Sequence, residues 1–225
     1  EVMQHYLDVM YETSGAEADR IDINELLEEE IRKEYLIQYK KNNSQHFSSS
    51  EEIREFFEDG VKILDYFKKN KGKYFSKKGW FLVGCEIPIS IVPNNAYKNV
   101  IYNGFLDVVL YHEPTDTFQI IDLKTSTKGW NSYAKKDEEK QFQLILYKKY
   151  FAEQFGLAES SIDIEFIIVR RKVYEEGEYP QKRIQTFSPA SGKTKVSKAT
   201  RILNEFINEA FDYNGYKETL HIPRP

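Results

Sequence analysis

Apolar positions in the first third of the chain recur with the period of a helix. Residues 1–13 (EVMQHYLDVMYET) and 24–41 (NELLEEEIRKEYLIQYKK) place apolar side chains three and four apart, the second on a strongly acidic background. SGAEADRID between them reads as a loop, and NNSQHFSSS is a polar break. Ser50-Glu51-Glu52-Ile53 opens a further helix that runs to about Lys69, and KNKGK reads as a turn. The pattern then changes. WFLVGCEIPISIV, VIYNGFLDVVLYH and TFQIIDLKT are rich in β-branched and aromatic residues, with PNNAYKN and HEPTDT as hairpin connections. Helical periodicity returns over 137–155. SIDIEFIIVRRKVY and KRIQTFS read as strands, and SKATRILNEFINEAFDY as a closing helix. The predicted order is helices, three strands, helix, strand, strand, helix. That order predicts an α/β fold: a mixed central sheet flanked by helices, with a helical N-terminal part. We expect one domain over 1–225, helical over 1–72 and α/β over 73–225.

Composition narrows the picture. The chain has 225 residues, 40% hydrophobic and 15% aromatic, enough for one sizeable core. A single cysteine excludes an internal disulfide framework, and with it any four-cysteine zinc or iron–sulfur site. The expected compartment is reducing and intracellular: a cytoplasm of bacterial or phage-like kind, with an organelle or the nucleus as alternatives. No apolar run approaches a membrane span. The first residues form an amphipathic helical pattern without a start methionine or N-cap, so we expect the chain to begin inside a helix of a longer protein. The net charge of −4 carries no overall signal for nucleic acid, although net charge can conceal a local basic surface.

The candidate chemistry lies in GFLDVVLYHEPTDTFQIIDLK, residues 104–124. Asp107 interrupts one strand and Asp122 the next, and a hairpin through 114–116 brings them together. Side chains alternate along a strand, so Asp122 and Lys124 share a face. Two close carboxylates repel, and burying them costs several kcal/mol without a compensating cation. A hard divalent ion fits, with the Leu123 carbonyl in reach as a further oxygen ligand. The plainer alternative is a buried Asp107–Lys124 ion pair with Asp122 at an exposed strand end. Other residues accompany the set. Gly104 allows close backbone approach. Thr125 and Ser126 offer hydroxyls and amides to a phosphate. Gln143 and Tyr147 stand four apart on one helix face, and Glu86 is alone in an apolar strand.

GFLD, then IIDLKTS, then QLILY resembles the PD-(D/E)XK nuclease superfamily, most of all its RecB-like and lambda-exonuclease-like branch. The resemblance covers roughly residues 80–170. It implies that Asp107 and Asp122 bind metal, that Lys124 is the motif lysine, and that Gln143 and Tyr147 face the active site and the DNA phosphates. Glu86 matches the upstream glutamate that completes the site. Branch members carry a histidine on an N-terminal helix, which makes His5 a candidate ligand, although no glycine precedes it. Leu106 stands where the branch often has proline. The implied cofactor is one or two Mg²⁺ or Mn²⁺ ions, with no iron–sulfur cluster, and Cys85 is a small buried residue. The implied activity is metal-dependent hydrolysis of DNA, by an exonuclease acting on ends in replication, recombination or repair. A flap endonuclease and a non-catalytic DNA-binding module of a helicase–nuclease complex are the alternatives. The implied partners are single-stranded, end- or flap-containing DNA and helicase or recombination proteins, with no membrane.

Further DNA contacts are expected from Thr125, Ser126 and Lys128, from Trp130 and Tyr133 by stacking, and from a basic segment. That segment holds Arg170, Arg171, Lys172, Lys182, Arg183, Lys193, Lys195, Lys198 and Arg201. SGKTK at 191–195 is not a phosphate loop, because Phe187 stands where the motif needs glycine. His46, His112 and His221 read as surface residues, and Glu28–Glu30 as a solvated helix face.

Overall fold

The structure is a computed structural model and describes residues 1–174, 181–212 and 214–216. Its described part holds a five-stranded sheet in the order β1-β2-β3-β4-β5, with helices on both faces. The helices are α1 (Val2–Glu12), α2 (Gly15–Ala18), α3 (Ile23–Lys41), α4 (Ser50–Tyr74), α5 (Ser132–Lys136), α6 (Glu138–Phe155) and α7 (Lys193–Ala210). The strands are β1 (Trp80–Ile91), β2 (Tyr102–His112), β3 (Thr117–Ser126), β4 (Ile162–Arg170) and β5 (Ile184–Phe187). Three ladders are antiparallel, and β3–β4 is parallel. The parallel pair needs a crossover, which α6 supplies. This is the mixed, helix-flanked sheet that the sequence predicts. Among the described residues no helix is long and apolar enough to cross a membrane.

Each face of the sheet covers its own core. Helices α1 and α4 pack Tyr6, Leu7, Ile63, Leu64 and Phe67 against Val108, Leu110, Ile121, Ile167 and Val169. On the other face, α6 and α7 pack Leu144, Tyr150, Val196 and Ala199 against Leu106, Val109, Ile120, Phe166 and Ile168. Both are close-packed stripes of the kind that burial of apolar surface stabilises at about 25 cal/mol per Å².

Several boundaries differ from the sequence reading. SGAEADRID holds a single helical turn, α2, because Ser14 caps it by accepting from the Glu17 amide. KNKGK is not a turn, since α4 continues through it to Tyr74. Its end is held by contacts distant in sequence: the Tyr74 hydroxyl donates to the Ile184 carbonyl at 3.4 Å, and Phe75 is buried. The lysines of that last turn also suit the negative end of the helix. Strand β4 stops at Arg170, short of residue 174. Beyond it, the Arg171 and Lys172 amides donate to the Ser126 and Thr127 carbonyls. Helix α7 starts at Lys193, ahead of the pattern at 197, and Tyr213, which closes that pattern, lies outside the described residues.

Candidate active site

The site forms where β2 and β3 part. Their ladder runs from His112↔Thr117 to Val108↔Ile121 and ends there. One rung further, the same register sets Asp107 opposite Asp122. Strand β3 continues along β4 to Ser126↔Arg170, while β2 continues along β1 to Tyr102↔Ile91. A gap therefore opens at the two aspartates. The Leu123 amide, the first to lose a strand partner, donates to Asp107 Oδ2 at 2.6 Å. In a strand the N–H and C=O of one residue point to the same side. The Leu123 carbonyl thus also faces the gap.

The hydrophobic alternation reverses phase at this rung. On β2, Val108 and Leu110 pack towards α1 and α4, but Leu106 packs towards α6. On β1, Cys85 packs towards α1 and Ile87 towards α6. Between them Glu86 has a φ of 53°, a left-handed conformation that costs a non-glycine residue of order 1–2 kcal/mol. The pairs Cys85↔Val108 and Ile87↔Leu106 set Glu86 opposite Asp107. Beyond the reversal, β2 leans on α6. A Cβ on Gly104 would lie 2.7 Å from the Tyr147 ring, so only glycine fits.

A second chain of contacts runs along the α6 face. Asp122 is 3% exposed, and Lys124 Nζ lies 2.8 Å from its Oδ2. That ion pair is the contact of Asp122 Oδ2, a buried oxygen with no further partner among the described residues. Lys124 Nζ donates to Gln143 Oε1 at 3.3 Å, and Gln143 Nε2 donates to the Tyr147 hydroxyl at 3.1 Å. The alternative pairing of Lys124 with Asp107 is not seen: Lys124 pairs with Asp122, which is buried and not at an exposed strand end.

One lysine only partly compensates the charge in the gap. Burial pushes the Asp107 carboxyl up to about 6, and the charges of Asp122 and Glu86 add to this against the Leu123 hydrogen bond. Burial likewise raises Asp122, opposed by Lys124. A cleft of about 660 Å³ opens beside them, lined by Gln4, Glu86, Asp107, Leu123, Lys124 and Thr125, with Leu27, Ile31 and Ile63 as its apolar wall. The carboxylates of the two aspartates and a carbonyl facing the gap make a hard-oxygen donor set that fits a divalent ion. Among the described residues no three His, Cys, Asp or Glu side chains already stand together as a ligand group. The Glu86 carboxylate is held instead by Gln4, whose Nε2 donates to Glu86 Oε1 at 2.5 Å and to the Asp107 carbonyl at 3.0 Å.

Gln4 was not singled out by the sequence reading, which chose its neighbour. His5 is exposed and does not line the cleft, because a helix of this pitch turns it away from the stripe of Met3, Leu7 and Met10. Gln4 flanks that stripe and is buried at 7% exposure. A polar residue at the edge of an apolar stripe is the signal that marks it. Cys85 is half-buried, and burial pushes its thiol up to about 12, so it is no nucleophile.

The remaining candidates disperse. Thr125 and Lys128 are exposed, and Thr125 lines the cleft. Ser126 Oγ accepts from the Gly129 amide. Trp130 is not presented for stacking, because it packs 4.9 Å from Phe166 within the core, while Tyr133 is 83% exposed. The Arg170 Nε is buried without a hydrogen-bond partner, and its side chain lies against Gly129. Much of the basic segment is engaged elsewhere. Arg171 stacks on Phe56, Lys172 pairs with Glu55 and Asp59, and the buried Arg183 donates to the Arg171 carbonyl. Lys195 and Lys198 both pair with Glu138, Arg201 pairs with Glu205, and Lys193 begins α7. His46 contacts Tyr35, and His112 lies over Trp80. His221 lies outside the described residues.

No curated protein sequence matches this chain significantly. Among solved structures, one titled "Crystal structure of SSO0001" aligns with a TM-score of 0.34 and 13% identity, over 74% of this chain and 69% of that one. The family model described as the PD-(D/E)XK nuclease superfamily matches residues 1–218, and the chain belongs to that superfamily.

Proposed function

We propose that the protein is a metal-dependent deoxyribonuclease whose reaction centre is the gap between β2 and β3. The observation that carries this is the half-buried Asp107 set beside the buried Asp122, with one lysine on the pair, where two strands part. Nucleases of this superfamily generally use divalent ions such as Mg²⁺. Asp107, Asp122 and the Leu123 carbonyl would hold one here, with Glu86 beside them. Bound there, one or two Mg²⁺ or Mn²⁺ ions supply Lewis acidity and a lowered pKa for the attacking water.

The chain's own groups do the rest. Lys124 sits between Asp122 and Gln143, placed to steady charge that develops on the scissile phosphate. Gln143 holds that lysine, Tyr147 holds Gln143, and both border the phosphate path. Thr125 and the exposed Lys128 lie along the exit of β3, where the next phosphates pass. Arg170, on the neighbouring strand opposite Ser126, adds a guanidinium to that path. An exonuclease acting on DNA ends is the mode we favour, from the resemblance of GFLD, IIDLKTS and QLILY to the RecB-like branch.

The test uses end-labelled single-stranded, double-stranded and flap DNA, with Mg²⁺, Mn²⁺ or EDTA. We expect trimming from ends with either metal, none in EDTA, and survival of closed circles. Cleavage of circles or at flap junctions would make it an endonuclease. DNA binding with no cleavage under any condition would leave only a binding module.

A further inference from the structure

We infer that Gln4 is a positioning residue for this site: its carboxamide clamps Glu86 into the Glu86–Asp107 rung and so keeps a third carboxylate in the cleft beside the two aspartates. The inference rests on the metal-dependent nuclease reading. A carboxamide nitrogen has two N–H donors, and Gln4 spends its contacts on this one rung, on Glu86 Oε1 and the Asp107 carbonyl. Glu86 needs such a clamp. It lies on the edge strand β1, is exposed, and has the left-handed backbone of the phase reversal. Nothing in its own strand fixes its carboxylate, and rotamer freedom would carry it into solvent.

The clamp is also of the right charge. A lysine or arginine at position 4 would neutralise Glu86 and compete with a metal ion, while a carboxylate would repel it. A neutral amide donates a hydrogen bond and leaves the charge of Glu86 available. Helix α1 makes Gln4 a rigid part of the site, since its neighbours Met3, Tyr6 and Leu7 are all buried in the core. The N-terminal helix thus serves the site through Gln4, with His5 turned outward.

Calorimetric titration of Mn²⁺ into wild type, Gln4→Leu, Glu86→Gln and the double variant tests this, alongside cleavage rates across Mn²⁺ concentration. Loss of a hydrogen-bonded partner behind a ligand typically weakens metal binding about 10–100-fold. We expect Gln4→Leu to raise the Mn²⁺ Kd about tenfold and to need correspondingly more Mn²⁺ for half-maximal cleavage. Its maximal rate at saturating Mn²⁺ should stay within about threefold of wild type. In the Glu86→Gln background, Gln4→Leu should add nothing, because its effect passes through Glu86. Should Gln4→Leu fail to fold, Gln4→Asn keeps the amide but falls short of Glu86, and the same weakening is expected. An unchanged Mn²⁺ Kd, or additive effects in the double variant, would overturn the clamp while leaving the nuclease reading standing. A wild-type protein that binds no Mn²⁺ would overturn both.

Discussion

Two charged clusters bridge neighbouring elements of this protein, and they are built in opposite ways. At the β2–β3 gap, Asp107, Asp122 and Glu86 face one lysine, Lys124, and Asp122 is buried. Between α6 and α7, Glu138 faces two lysines, Lys195 and Lys198, and all three side chains are partly in solvent. The first cluster has an excess of negative charge that reaches from the exposed Glu86 to the buried Asp122. The second has an excess of positive charge where water screens it. The carboxyl groups report the contrast. Burial raises Asp107 to about 6, whereas hydrogen bonds from Lys195 and Lys198 hold Glu138 down to about 2. An exposed cluster of this kind is complete in itself. A partly buried one with surplus like charge calls for a further cation, and that is why we place the chemistry there.

The contrast can be broken most sharply at the aspartates. Asp107→Asn or Asp122→Asn should lower DNA cleavage by roughly 10³-fold or more, with circular dichroism unchanged; the loss of one positioned charge-stabilising group alone costs about 10²–10³. Near wild-type rates in either variant would end the metal assignment. Lys124→Ala should cost on the order of 10²-fold in rate while Mn²⁺ binding persists, since an ammonium is not a ligand. Lost Mn²⁺ binding in this variant would contradict the division of roles.

Stability against pH sharpens the same comparison. The folded pKa of Asp107 lies above its ordinary 3.8, so the stability carried by its protonated form is full below that value. It is lost as pH rises through about 6. The metal-free protein should therefore lose stability over that window, and Asp107→Asn should remove of order 2 kcal/mol of the fall, several degrees in Tm. Because an ion must displace that proton, Mn²⁺ affinity should drop as pH falls below 6. Parallel Tm–pH curves for wild type and Asp107→Asn would show that the carboxyl is not strained by burial.

The smallest effect belongs to the exposed cluster. Lys195→Gln with Lys198→Gln should flatten the salt dependence of DNA binding by less than one unit of slope, because Glu138 already neutralises part of their charge. Glu138→Gln should tighten binding at low salt. A loss of two full units in the lysine variant would mean that both give up Glu138 for phosphates.

What the sequence makes legible follows from how far apart the interacting residues lie. The alternation of β1 to β4 and the hairpin at 114–116 are local, so the Asp107–Asp122 juxtaposition could be anticipated. So could Gln143 with Tyr147, one helical turn apart. The close approach at Gly104 could be expected, but not its partner, the Tyr147 ring of α6. The run of lysines on α7 is legible, but not its partner, because Glu138 lies 57 and 60 residues away in sequence. The turn at KNKGK misled for the same reason: Tyr74 finds the Ile184 carbonyl 110 residues on. Gln4 was hidden by its neighbour, since histidine draws attention by its chemistry while the helix phase turns the glutamine inward.

The most direct test of the central claim is the titration of Mn²⁺ into wild type and Asp122→Asn by calorimetry at pH 7.5. The account predicts saturable binding in wild type, weakened at least tenfold or lost in the variant, with both proteins folded. Equal affinity in the two proteins would contradict it, and would leave the aspartate pair at the strand gap without a cation to explain it.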